Sequence, residues 1–420
     1  MKILIQNSIF YPQVIGGAEL STHLLGQELR RRGVASDAVA STGRHGSDRH
    51  LTTRPTADGL GTVYEAAAHG LCDLLPAENS NTEPGFLTRG LNHFALVHSR
   101  RWQRLFTEVL DLSRPDIVHT NTLVGLTPAI WAAARERQIP IVHTLRDYHL
   151  LCPRTTLLRS NLTDCQEPPL PCRILAHLKV RQTGGLQLVT APTRYVIDRH
   201  LQAGAFPDTP TAVVPNALEE WPEQIPLREH RSLVRGLFLG QINNHKGLGL
   251  LLDVLDRLFT DPGLGHLRFD FAGTGPWNDK VSALVARHPG RVCYHGMVTG
   301  EPKRELLRQA DFMVVPSLWS EPFSRSIIDG FSWGLPAIGS RMGGIPEVIT
   351  DQEDGLLIAP SASGLEEAMR RLATDHPLRR AMAATARRHA ENFTLTRQVD
   401  QFADLYHNLL AKENTGDLEK

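Results

Sequence analysis

Apolar residues along this chain follow two alternating rhythms. Short continuous runs, such as "KILIQN" at the start and "VASDAVAS" after it, have the length of strands buried on both faces. Between them, stretches with apolar residues three and four apart predict helices from Gly17 to Arg32, around Leu91 to Leu112 and around Leu123 to Arg137, with "DIVHT" and "IPIVHTL" as further strands. The second half repeats the rhythm. "VRGLFLG", a helix from Lys246 to Phe259, "LRFDFAG", a helix around Trp277 to Arg287, "RVCYHG", a short helix from Glu301 to Gln309, "DFMVVPS", a helix starting near Ser324 and "LPAIGS" follow in order. Such alternation predicts an α/β protein whose parallel sheets carry helices on both faces.

Between the halves, "VVPNALEEWPEQIPLREH" has prolines at Pro215, Pro222 and Pro226 and no period, so it reads as a linker. This divides the chain into residues 1–215 and 216–392. The closing helices, roughly Leu365 to Lys412, have no strand between them, and the last, about 393–412, is expected to pack back on the first domain.

Composition agrees with two domains: 420 residues, 41% apolar and 21% charged, exceed one ordinary core. Lys plus Arg equals Asp plus Glu at 45 each, so no overall field draws the chain to nucleic acid, and any anion site must be local. "MKILIQN" reads as a first strand rather than a leader, and no run approaches the ~20 apolar residues that span a bilayer. A cytoplasmic protein is the expectation.

In open α/β sheets ligands bind beyond the carboxyl ends of the strands, so the loops after strands carry the candidate chemistry. After the first strand, Gly16 and Gly17 open a helix whose N–H groups favour an anion, although a tight turn alone would also use such a pair. In "LGQINNHKGLGLLL", Lys246 stands where the next helix begins, an unfavourable place for a cation unless an anion lies between. In "SEPFSRSIIDGFSWGLPAIGS", Ile327, Ile328 and Phe331 point to the core, and Arg325 and Asp329, four apart, can pair on the opposite face. Glu321 precedes that helix, whose first N–H groups belong to Ser324, Arg325 and Ser326.

Taken together, "GGAE", "DIVHTN", "HTLRDYHLLCPR", "APTRYV", "VVPNALE", "GQINNHKG", "FAGTGP", "YHG", the Glu321 segment and "GGIPEVI" resemble, in order, glycosyltransferase family 4. That resemblance implies the GT-B architecture, two Rossmann-like doubly wound domains facing a central cleft that closes on substrates, and retaining transfer from a nucleotide-sugar donor. It places an acceptor on the first domain and the donor on the second. The family's pair of acids falls on Glu321, beside the donor sugar, and Asp329, at the ribose. Lys246 and the N–H groups of 324–326 fall at the diphosphate, and Gly273 within "FAGTGP". His295 and Val298 fall in the loop at the nucleobase. Three departures stand out: Asp329 where relatives have Glu, Gln241 where an arginine is usual, and Arg146 before Asp147 where many have histidine. An arginine is no general base, but it can steady a departing diphosphate. His119, His143 and His149 nearby fit structural roles better than chemical ones.

The resemblance implies no metal, and there is no Asp-x-Asp pair. Cys152, Cys165 and Cys172, with His177, could bind zinc, but their spacing matches no compact finger. The acceptor class stays open among glycans, lipid-linked and small molecules. Arg100, Arg101 and Arg104, and Arg173, Lys179 and Arg181, offer basic faces for peripheral membrane contact, or for solvent alone. Against the enzyme stands a catalytically impaired relative that binds a nucleotide sugar as sensor or partner subunit, a reading that rests on the three departures.

Overall fold

The computed structural model describes residues 1–13, 16–41, 51–66, 97, 99–124, 128, 130–225 and 232–416. Residues 91–96 of the expected second helix, and Pro226, lie outside them. The chain divides into two compact units: unit 1 comprises Met1–Leu157, Cys165–Asn216 and Leu395–Lys420, and unit 2 comprises Leu158–Asp164 and Ala217–Thr394.

Unit 1 contains β1 (Lys2–Gln6), β2 (Ala35–Ser41), β3 (Leu51–Pro55), β4 (Thr62–Ala66), β5 (Ile117–Thr120), β6 (Ile141–Thr144), β7 (Leu188–Ala191) and β8 (Thr211–Val213). They form one sheet in the order β3-β4-β2-β1-β5-β6-β7-β8. Every pair is parallel except β3 with β4, an antiparallel edge that the sequence pattern does not reveal. Ile3, Ile5, Leu25, Leu29, Ile117 and Val142 build a core that also takes Val399, Phe402 and Tyr406 from the last helix, Leu395–Gly416.

Unit 2 is a six-stranded, wholly parallel sheet. Its strands are β9 (Val234–Leu239), β10 (Leu267–Ala272), β11 (Val292–Tyr294), β12 (Phe312–Val315), β13 (Ala337–Ser340) and β14 (Gly355–Ile358), in the order β11-β10-β9-β12-β13-β14. Strand order therefore reverses between β9 and β12, the position beyond which open α/β sheets bind ligands. One face of the sheet packs Phe269 and Phe271 against Leu251, Leu255, Leu258 and Leu284. The other packs Leu237 and Met313 against Ile327, Ile328 and Phe331, each of the last three fully buried as their spacing predicts.

Candidate functional site

The loops after β9 and β12 are joined backbone to backbone. Leu318 N–H donates to His245 O at 2.9 Å, and Gly247, at φ 79°, lies so close to Pro316 O that a Cβ would collide with it. Lys246 accordingly does not begin an α-helix. It ends a 3-10 turn, Asn244–Lys246, and Gly247 separates it from the helix Leu248–Thr260. Only Gly247 separates the turn from the helix, so the sequence alone places Lys246 at the helix N-terminus. Its ammonium donates to Glu321 Oε1 at 2.6 Å and lies 5.1 Å from the Trp319 ring centroid.

Glu321 is fixed from three sides. Ser317 Oγ donates to the same Oε1 at 2.6 Å, and Gly344 N–H donates to Glu321 O at 2.7 Å. Gly343, at φ 57°, packs so tightly on the Glu321 backbone that only a hydrogen fits there. The side chain of Glu321 is 4% exposed and that of Lys246 22%, so the cation is the part of the pair that meets solvent. Ser317, Trp319 and the Gly343-Gly344 pair were not singled out from sequence. The last of these stands in "GGIPEVI", whose glycines were the available signal.

Beyond Glu321, Ser324 is the N-cap of the helix Arg325–Ser332, yet its side chain does not cap it; its Oγ lies 3.2 Å from Ser326 Oγ. Asp329, one turn in, is held by Lys303, whose Nζ lies 2.8 Å from Asp329 Oδ2 and 2.7 Å from Glu219 Oε2. Lys303 takes the place expected of Arg325, whose buried guanidinium is lowered in pKa by desolvation and feels Asp329 and Glu219 electrostatically. Lys303 escaped the sequence reading because it comes from another helix, Gly300–Gln309.

Gly273, at φ 131°, sits against Gly240 O so that a Cβ would collide, and its N–H donates to Gly296 O at 2.7 Å. Gln241 beside it is exposed. The His295 ring turns away from its loop to Asp270, Nε2 to Oδ1 2.8 Å, and Arg235 Nη1 lies 3.2 Å from the other oxygen. Val298 packs on the core. Among the described residues, Asp270, Cys293 and His295 form the one group of three with ligand atoms all within 4.8 Å. Cys152, Cys165 and Cys172 are free thiols and form no such group.

In unit 1, Gly16 caps the first helix and Gly17 begins it, but the chain supplies its own anion there: Gly16 N–H donates to the Glu19 carboxylate at 2.8 Å. Arg146 is held by the amide oxygens of Asn121, at 2.8 Å, and Asn216. Asp147 Oδ1 accepts from His149 N–H at 2.7 Å. Burial pushes its carboxyl up to about 6, opposed by that hydrogen bond and by Lys179. Lys179 is 2% exposed and donates to His149 O at 2.9 Å, and burial brings its pKa down to about 8. It is therefore no part of a basic surface, contrary to the sequence expectation. His119 bonds Tyr406 and Thr144, and His143 bonds Thr120. Burial holds His119 well below its ordinary value and His143 down at about 3, so both are neutral structural groups.

Two family profiles match the chain: "Glycosyltransferase Family 4" over residues 15–220 and "Glycosyl transferases group 1" over 234–375. An uncharacterized 42.6 kDa protein in the cps region of Klebsiella pneumoniae is 25% identical over 354 residues, 83% of this chain and 87% of its own. Sucrose-phosphate synthase from Thermosynechococcus elongatus superposes with a TM-score of 0.74 at 18% identity, covering 98% of this chain and 99% of that one. Anabaena HepE, solved in complex with UDP-glucose, gives 0.67 at 18% identity, covering 97% and 100%. These solved structures share the GT-B fold with this chain.

Proposed function

The chain belongs to glycosyltransferase family 4, and from that premise we propose that it moves a sugar, with retention of configuration, from a nucleoside-diphosphate sugar to a hydroxyl of a glycan, lipid-linked or small-molecule acceptor. The observation that carries this reading is the Lys246–Glu321 pair at the point where strand order reverses, beside the N-terminus of the helix Arg325–Ser332. HepE, with the same fold, was solved with UDP-glucose, which supports a donor of this class.

Breaking the anomeric C–O bond leaves its electron pair on the diphosphate and positive charge on the sugar ring. Lys246 and the N–H groups of Ser324, Arg325 and Ser326 would receive the diphosphate charge, the work a metal performs in other transferases. Glu321 faces the sugar with its ammonium partner already in place. The acceptor oxygen bonds to the anomeric carbon on the face the phosphate leaves, and its proton passes to the departing phosphate oxygen. Asp329 accepts from the ribose. Gly273, Gln241 and the loop of His295 and Val298 border the nucleotide, the loop through its backbone because the His295 ring is engaged by Asp270. In unit 1, Gly16, Gly17, Arg146 and Asp147 keep the roles the resemblance implies for them, Arg146 as a cation for phosphate.

The departures at Arg146, Gln241 and Asp329 favour a second reading, a relative that binds the donor without turning it over. Thermal-shift screening with UDP, GDP and ADP and their sugars, followed by assay of nucleoside diphosphate release, separates the two. Stabilisation with release supports the enzyme and stabilisation without release the binder. No stabilisation by any of these ligands sinks both readings. No helix among the described residues is long and apolar enough to cross a membrane. Contact with a membrane surface would come from the basic face at Arg100, Arg101 and Arg104.

A further inference from the structure

Lys303 lies between two carboxylates, Asp329 Oδ2 at 2.8 Å and Glu219 Oε2 at 2.7 Å, with side chains 17%, 12% and 38% exposed respectively. Desolvation works against the Lys303 ammonium, but Asp329 and Glu219 outweigh it and raise its pKa above the ordinary lysine value. The three residues border a cavity with Gly300, Leu307 and Trp333. Three features single out this cluster from the surface ion pairs on the same helix. Its lysine side chain is only 17% exposed, it touches the acid that stands where the resemblance leads one to expect glutamate, and it opens on a cavity.

We propose that Lys303 is a positioning residue of the donor site: anchored by Glu219, its ammonium fixes the Asp329 carboxylate so that the acid accepts from the vicinal diol of the donor's ribose. The inference rests on the reading of Asp329 as the ribose acceptor. An aspartate reaches about 1.5 Å less far than a glutamate, one C–C bond. A shorter acid must be held at one orientation to meet a diol, and a lysine fixed at its other end supplies that constraint. A carboxylate has about four acceptor sites, of which Lys303 takes one, leaving acceptor capacity for ribose hydroxyls. Glu219 keeps the lysine from swinging into the cavity and pairing with the ligand's phosphates instead.

The test is calorimetric titration of the full chain with whichever of UDP, GDP and ADP binds most tightly, and with its 2′,3′-dideoxy analogue. Wild-type protein should prefer the ribose form by roughly tenfold or more, the value of hydrogen bonds to a charged acceptor. K303M should lose that preference while binding the dideoxy form as before, and D329E in the K303M background should restore it, because the longer acid reaches unaided. K303M that weakens both probes equally, or neither, makes Lys303 a purely structural ion-pair member and overturns the proposal. Should K303M not fold, E219Q, at an exposed position, is expected to reduce the preference about threefold by releasing the lysine; an unchanged preference there overturns it equally. D329N that keeps the full ribose preference refutes the ribose reading itself, whatever K303M does.

Discussion

Each unit sets a lysine near a carboxylate beyond its strands, yet the two pairs differ in kind. In unit 2, Lys246 meets Glu321 at 2.6 Å with its ammonium partly exposed, on loops locked together by glycines whose neighbours leave no room for a side chain. In unit 1, Lys179 is 2% exposed and feels the Asp147 carboxylate, and burial moves both toward neutrality, to about 8 and about 6. The first arrangement presents a fixed charge at an opening, suited to an incoming anion. The second holds groups whose protonation changes within the working range of pH, suited to moving a proton or to sensing one. Geometry is rigid in one place and titration is responsive in the other.

The largest effect that would break this contrast is on turnover. Lys246→Ala should lower it by roughly 10²–10³-fold, as losing one fixed electrostatic donor does, with circular dichroism unchanged and the melting temperature little moved. An active variant would remove Lys246 from the chemistry. Next comes the backbone. Gly343→Ala forces a Cβ into Glu321 at a positive φ and should cost about 3 kcal/mol in urea unfolding. Gly16→Ala in unit 1, at φ −152° with Glu19 Oε2 3.6 Å away, should cost well under that, and equal costs would erase the difference in rigidity.

The titrating pair gives a third test. The folded Asp147 carboxyl titrates above its unfolded range, so its contribution to stability is present below about pH 4 and lost as pH rises through about 6. Lys179 behaves in the opposite sense: its contribution is present above about pH 10 and lost as pH falls through about 8. Asp147→Asn should therefore gain on wild type by about 2 kcal/mol between pH 4.5 and 7.5, measured by denaturant midpoints. A difference that does not change with pH would mean that Asp147 is not desolvated. Smallest is Gln241→Arg, which restores the cation that the resemblance leads one to expect and should tighten nucleoside diphosphate binding a few-fold. Calorimetry that finds no gain would place this side chain away from the phosphates.

Much of unit 2 was legible because its strands are continuous apolar runs bounded by Gly and Pro. Lys246 and Glu321 stood out as charges beside such boundaries. Other parts stayed hidden. β3 and β4 pair antiparallel at an edge, with the polar sequence "LTTRP" that carries no alternation. β7, β8 and β14, three or four residues long, also went unmarked, and length alone is not the reason, because β11 and β12 are as short and stand out as apolar runs. Lys303 and Ser317 gain their meaning from partners on other loops or helices, and no local rhythm announces such a meeting. Lys179 shows the converse: its helix looks amphipathic and basic on paper, but the buried His149 and Asp147 claim its charge.

The last helix of the chain has a consequence for how the molecule is made. Phe402 and Tyr406 belong to the core that Ile3 and Ile5 begin, so β1 lacks part of its packing until the helix Leu395–Gly416 has been made. Unit 2, apart from one seven-residue segment, is contiguous in sequence and can assemble during that interval. At about 5–20 residues per second the wait between Asn216 and Leu395 lasts roughly ten to forty seconds. Unit 1, begun first, is therefore closed only after unit 2 has been made.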